Sequence, residues 1–288
     1  MSNEKNLENV KKLREITGVG FKDCKTALDE NKGDIEKSIE YLRKKGIAKA
    51  SKKMSRTAAD GVVLLYEKNN MTSALEINSE TDFVAKNKDF INFCKEVSEI
   101  NFKNQGDLEK VKSSLMKNKK SVEESLVNLI SKIGEKITLR RSKFFDNKGK
   151  NFSYVHNALE KNVGKVLSVV KLESNKGVNL EDIGTKLAMH VAASAPIAID
   201  KSGIKQNIMD KELEIIKEEL KNSGKKENMI DKISQGKLNK FISDNTLLDQ
   251  IWIMDTKKKV KDVLKSYSDK GEIKVIDFVR FKVGEGIE

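Results

Sequence analysis

The period of the apolar residues changes along this chain, and that change most narrows what it can fold into. Val10, Leu13 and Ile16 recur at threes, and Phe21, Cys24, Ala27 and Leu28 share one helical face. Gly33 stops that run, Asp34 caps the next, and Ile35, Ile39 and Leu42 follow at i, i+4 and i+7. Residues 7–45 therefore read as three short helices, with Gly18-Val19-Gly20 as an inter-helix turn. A polar, basic linker is expected at 46–57. The period then shortens to two: 61–66 and 73–78 read as strands joined through Asn69-Asn70.

A loop at 79–88 precedes a helix carrying Phe90, Phe93 or Cys94, Val97 and Ile100. Ser121-Val122-Glu123-Glu124 has the capping-box pattern and opens a helix with Leu126, Leu129, Ile130 and Ile133. Residues 137–145 read as a strand. The strand, loop and helix of 73–101 recur at 163–194, as a strand over 163–172, a turn over 173–179 and a helix over 180–194 closed by Pro196. Two apolar stripes follow. Ile208, Leu213 (or Glu212), Ile216 and Leu220 form one; Ile230, Ile233, Leu238 and Phe241 form the other, with Gly224 between them. They predict an antiparallel helical hairpin of coiled-coil kind. A short helix at 257–269 and a strand at 272–283 complete the chain. The expected class is α+β. A three-helix domain and basic linker take 1–56, one α/β core subdomain takes 57–142, and a related one takes 143–288 with the hairpin inserted at 203–243.

The 288 residues suffice for about two domains. Lys and Arg number 56 against 44 Asp and Glu, a net charge of +12, which attracts anions, acidic proteins or nucleic acid. Half of that excess lies in the first 57 residues, with 15 bases against 9 acids. Arg43, Lys44, Lys45, Lys49, Lys52, Lys53 and Arg56 follow one another without an acid. They read as a solvated linker or as a contact with an acidic partner. Elsewhere lysines alternate with acids, aromatics are 6%, and no motif interleaves Gly, Phe and Lys, so specific nucleic-acid binding is not expected. No apolar run is long enough to span a bilayer, and no membrane partner is expected. The opening Met-Ser-Asn-Glu-Lys lacks a secretory run, which predicts a cytoplasmic protein. Cys24 and Cys94 read as small core hydrophobes in a reducing compartment.

Bond-making chemistry has little to work with. His156 and His190 are the only histidines, and neither cysteine has a Cys or His neighbour at zinc spacing. Phosphate-loop, nucleophile-elbow and metalloprotease motifs are absent. No catalytic residue, metal or cofactor is expected, and the chain is not expected to be an enzyme. His190 lies in an apolar helix and reads as a packed ring or as a partner contact. One loop departs from plain structure: Thr81-Asp82-Phe83-Val84, between Glu80 and Lys86. Either Thr81 or Asp82 caps a turn and Phe83 packs inward, or Phe83 and Val84 form an apolar wedge beside a hydrogen-bonding Asp82.

Residues 13–28, from Leu13-Arg14-Glu15-Ile16-Thr17-Gly18-Val19-Gly20-Phe21 to Ala27-Leu28, resemble the N-terminal signature of bacterial elongation factor Ts. Glu76-Ile77-Asn78-Ser79-Glu80-Thr81-Asp82-Phe83-Val84-Ala85-Lys86 resembles its second signature. Met189-His190-Val191-Ala192-Ala193-Ser194 and Phe278-Val279-Arg280-Phe281-Lys282-Val283-Gly284-Glu285-Gly286 are also similar, in the family's order. The resemblance implies a guanine-nucleotide exchange factor that binds elongation factor Tu, both GDP-bound and nucleotide-free. It implies an N-terminal domain of ubiquitin-associated type against the GTPase domain of Tu, and a hairpin projecting from the second subdomain, which is also a candidate homodimer surface. Thr81, Asp82, Phe83 and Val84 would enter Tu beside its magnesium site. Val19, Gly20, Phe21 and His190 are further candidate contacts. Family members often continue beyond the Gly-Glu-Gly-Ile-Glu segment into another helix that touches Tu. That contact is not expected here.

Overall fold

A computed structural model describes residues 2–17, 19–53, 55–175, 178–267 and 271–287, with side-chain environments for all of these except 2–6, 15 and 47–52. Helices α1 (Ser2–Thr17), α2 (Phe21–Glu30) and α3 (Ile35–Lys53) form the N-terminal unit. Val10, Leu13, Cys24, Ala27, Leu28 and Leu42 make its core. Gly18 of the expected turn, the Lys49 and Lys52 side chains of the basic run, and residues 176–177 of the expected turn at 173–179 lie outside the described set. The linker expectation is corrected in part: α3 runs through 46–53, and among the described residues only 55–59 are irregular before the first strand. Ala and Lys favour helix without any apolar stripe to mark it.

Among the described residues seven strands follow: β1 (Asp60–Lys68), β2 (Met71–Ser79), β3 (Ile137–Phe145), β4 (Lys150–His156), β5 (Val163–Gly164), β6 (Val166–Ser174) and β7 (Ile273–Lys282). They build two antiparallel sheets, ordered β3-β2-β1-β5 and β4-β6-β7. The β1–β2 hairpin turns on Asn69 and Asn70, at φ 53° and 58°. Two left-handed residues match the twist of the flanking strands, and asparagine tolerates them well. The single strand expected over 163–172 is two strands, one in each sheet. Its crossing point needs Gly164, where a Cβ would run into Val155 and the His156 carbonyl. Strand β4 was not foreseen. It is a seven-residue edge strand in which Phe152 and Tyr154 pack on the second core but Val155 faces the layer between the sheets, so its alternation is too short to mark it.

Both faces of β1 are buried. Val62 and Leu64 pack toward α4 (Asp82–Ala85), α5 (Lys88–Lys103), α6 (Leu108–Ser113) and α7 (Val122–Ile133). Val63 and Leu65 face the second sheet and meet Leu167, Val169 and Phe281. On that sheet's other side, Val170 and Leu172 pack with Ile183, Leu187 and Val191 of α8 (Glu181–Ser194). The layers thus run helix, sheet, sheet, helix. The expected boundary at 142/143 falls inside β3, and β5 joins the first sheet from beyond it. Helices α9 (Gln206–Asn222) and α10 (Glu227–Asn245) form the hairpin, turning at Gly224 (φ 72°) and closing on Ile216, Leu220 and Ile230. Its two ends are fastened together. The Ile197 N–H donates to the Asn245 carbonyl at 2.9 Å, and the Leu247 N–H donates to the Ala198 carbonyl at 2.9 Å. Helix α11 (Val260–Ser266) packs on the second core.

Glu76 of β2 is fully buried and ties the first sheet to the chain's last residues. Its carboxylate accepts from Arg140 Nη1 (2.9 Å), Arg141 Nε (2.5 Å), Asn78 Nδ2 (2.9 Å) and the Gly284 N–H (2.9 Å). Gly284 sits at φ 74° against the Ala59 carbonyl, where a Cβ would collide, so only glycine can bring that N–H in. Burial alone raises the Glu76 pKa. The bonds from Asn78, Gly284, Arg141 and Arg140 outweigh it and hold the group below the ordinary 4.5. The ionised form is therefore favoured by folding, and its stabilisation is complete above the unfolded value and lost as pH falls below it. Glu76→Ala should cost about 3 kcal/mol in urea unfolding at neutral pH. Glu76→Gln should flatten the loss of stability between neutral pH and the acid side of 4.5.

Candidate functional site

The segment 80–87 leaves the end of β2 and enters α5, and its backbone is fixed before it reaches Phe83. Thr81 donates twice to Glu135, from its N–H to Oε2 at 3.0 Å and from its hydroxyl to Oε1 at 2.8 Å. In return, the Lys136 N–H donates to Glu80 Oε1 at 2.6 Å. Arg56 Nη1 reaches Glu80 Oε2 at 3.2 Å, and Lys136 Nζ reaches the Arg56 carbonyl at 2.8 Å. Lys53 of α3 donates to the Gly134 carbonyl. Lys53, Arg56, Glu80, Thr81 and residues 134–136 thus form one clasp.

The one-turn helix α4 rises from this clasp. Thr81 holds its N-cap position, but its hydroxyl makes no cap bond, being spent on Glu135. Val84 and Ala85 turn into the first core. Phe83 turns the other way and is 80% exposed, the most exposed large apolar side chain among the described residues. The inward-packing alternative for Phe83 therefore does not hold, and the Phe83–Val84 wedge is corrected to Phe83 alone, because Val84 is buried in the first core. Asp82 lies beside it and pairs with Lys86 Nζ at 2.7 Å. That hydrogen bond holds the Asp82 carboxyl below the usual range, with burial acting against it. Asn87 then caps α5 by accepting from the Asp89 and Phe90 N–H groups.

The remaining candidates sit on other cores. Val19 is half-buried against the three-helix core, Gly20 is exposed as the N-cap of α2, and Phe21 is 45% exposed. His190 is fully buried on α8, stacked on Trp252 with ring centroids 5.1 Å apart. Gln250 Nε2 donates to the Ser194 and Asp244 carbonyls, so its Oε1 is free to accept from His190 Nε2–H at 3.0 Å. His190 Nδ1 in turn accepts the Ile253 N–H at 3.4 Å. Both ring nitrogens suit a neutral imidazole, and burial lowers the pKa against the Gln250 bond, which raises it. The His190 ring is packed, and it offers no surface to a partner. Cys24 and Cys94 are both buried free thiols whose pKa values burial raises. Among the described residues no three His, Cys, Asp or Glu side chains are grouped to hold a metal ion, and no helix is long and apolar enough to cross a membrane.

A family model described as Elongation factor TS matches residues 80–285. Curated relatives extend the match over 97% of the chain. The Elongation factor Ts of Methylorubrum extorquens (strain PA1) is 42% identical over 284 residues, which is 92% of that protein. That of Xanthobacter autotrophicus is 43% identical and that of Rickettsia bellii 40%, with the same coverage. The chain belongs to the elongation factor Ts family. The family match begins at Glu80, so it takes in the clasp residues 80–81 and 134–136 together with the elongation factor Ts segment that carries Phe83.

Glu135 and Lys136 were not singled out from sequence, and Arg56 and Glu80 were named only in the basic run and beside the 81–84 loop. Thr81 and Glu135 are 54 positions apart, and no local pattern joins them. Opposite burial of neighbours gives a direct check. Phe83→Ala should change unfolding free energy by no more than about 0.5 kcal/mol. Val84→Ala, which empties a core position, should cost about 1–3 kcal/mol in the same urea titration.

Proposed function

We propose that this protein is a guanine-nucleotide exchange factor for elongation factor Tu, acting in translation elongation and in the cytoplasm, and that it catalyses no bond making or breaking. The single observation that carries the reading is the presentation of Phe83: an aromatic ring held out to solvent on a turn whose neighbours on both sides are fixed. An isolated exposed apolar residue is common and means little by itself. Here the ring stands on a clasp of charged hydrogen bonds, within a family of elongation factors, on the segment that resembles the family's second signature.

Exchange by such a factor is a matter of differential binding. The factor must bind nucleotide-free Tu better than Tu·GDP, and the same coupling then weakens GDP. Each tenfold of weakening needs about 1.4 kcal/mol of contact made only when the nucleotide site is opened. Burying a Phe side chain supplies roughly 1.5–3 kcal/mol. One ring accounts for about tenfold to a hundredfold; the remainder comes from surfaces that hold it in place.

Within this reading Phe83 enters between elements of Tu beside its magnesium site, and Asp82 accepts hydrogen bonds there after parting from Lys86. Thr81 and Val84 act from beneath, one fixed to Glu135 and the other in the core. Val19, Gly20 and Phe21, on a three-helix domain of ubiquitin-associated type, add a second contact with the GTPase domain. Two related α/β subdomains supply the platform. His190 serves by keeping the root of the hairpin in register rather than by touching Tu. GDP-bound and nucleotide-free Tu are both partners, because the factor must meet one and leave the other.

The test is release of a fluorescent GDP analogue from purified Tu. The parent protein should accelerate it, and Phe83→Ala should slow the accelerated rate about tenfold or more, the equivalent of one buried ring. Equal rates for the two proteins would reject the wedge.

A further inference from the structure

We infer that Glu135 is the positioning residue of the exchange site, the group that sets where Phe83 stands; the inference rests on the exchange reading above. A single hydrogen bond leaves its acceptor a pivot. Two bonds from adjacent donors to the two oxygens of one carboxylate fix both position and orientation. Glu135 makes that double contact with Thr81, two residues before Phe83.

The geometry carries a sign of what it is for. A threonine at an N-cap ordinarily turns its side-chain oxygen to the first amides of the helix. Thr81 does not, and donates its hydroxyl to Glu135 instead. Local helix stability is forgone and a long-range tether is made. The tether is doubled from the other side, since the Lys136 N–H returns to Glu80. Glu135 itself is placed by the end of α7. Gly134 takes the left-handed conformation there (φ 89°), and its carbonyl is held by Lys53. Beyond Thr81 the turn is held by bonds within itself: the Ala85 N–H to the Thr81 carbonyl, the Lys86 N–H to the Phe83 carbonyl, the Asn87 N–H to the Val84 carbonyl, and the exposed Asp82–Lys86 pair. Without Glu135, α4 can rock on its foot at Val84, and Phe83 keeps its exposure but loses its aim.

A role in aiming differs measurably from a role in folding. At saturating protein, Glu135→Ala should lower the maximal rate of fluorescent-GDP release from Tu about fivefold to tenfold, while the half-saturating concentration stays within about twofold. Glu135→Gln should restore most of the rate, because its amide can still accept from the Thr81 N–H and donate to the hydroxyl. In a Phe83→Ala background, Glu135→Ala should add less than about a further twofold, since the group it aims is gone. If Glu135→Ala does not fold, Glu135→Asp, too short to reach both donors, takes its place with the same expectations. A parental rate for Glu135→Ala, an equal loss with and without Phe83, or a Gln variant as slow as the Ala variant overturns the role of Glu135. A Phe83→Ala protein at the parental rate rejects the wedge, and a parent protein that does not accelerate release overturns the exchange reading itself; either takes this role with it.

Discussion

A carboxylate that water cannot reach must be neutralised where it stands. Glu76 is such a group, and meeting its needs fixes much of the molecule. Arg140 and Arg141 come to it from β3, Asn78 from its own strand, and the Gly284 N–H from the far end of the chain. Register between β2 and β3, with its irregularity between Glu76 and Ile77, follows from where those guanidinium groups must lie. Four residues later the same strand delivers Glu80 and Thr81 to their partners at 135 and 136. The buried charge and the clasp are successive fastenings of one strand, and Phe83 is what that strand presents.

Presentation of this kind is an investment in rigidity. A mobile loop carrying the same phenylalanine would lose conformational entropy on binding, at a cost set against the contact it makes. Here Val84 is already in the core, Thr81 is already tethered, and α5 begins at once under the Asn87 cap. The three-helix unit reaches the same place through Lys53 and Arg56. Its docking on the core, where Arg43 also pairs with Glu124 of α7, therefore bears on the turn that carries Phe83.

What the sequence disclosed follows the reach of local rules. The Ser121–Glu124 capping box is present with both of its bonds, and β3 occupies 137–145 as read. The Asn69-Asn70 turn is where two left-handed residues are needed. Periodicity failed where the pattern is too short, absent or divided: on the edge strand β4, on the lysine-rich end of α3, and at Gly164, where one apolar run is shared between two sheets. Phe83 could not be placed from its neighbours, since a Phe-Val pair fits a packed turn as well as a projecting one. The partners that decide it, Glu80 with Lys136 and Thr81 with Glu135, are more than fifty residues apart, beyond any local pattern.

Linkage makes one consequence unavoidable. A protein that expels GDP by occupying an opened nucleotide site must prefer Tu in that opened state. The direct measurement is a pair of titrations of this protein, against nucleotide-free Tu and against Tu saturated with GDP, under one buffer and one magnesium concentration. A wedge at Phe83 requires the dissociation constant for the empty form to be at least about tenfold the smaller. Equal constants for the two forms would contradict it.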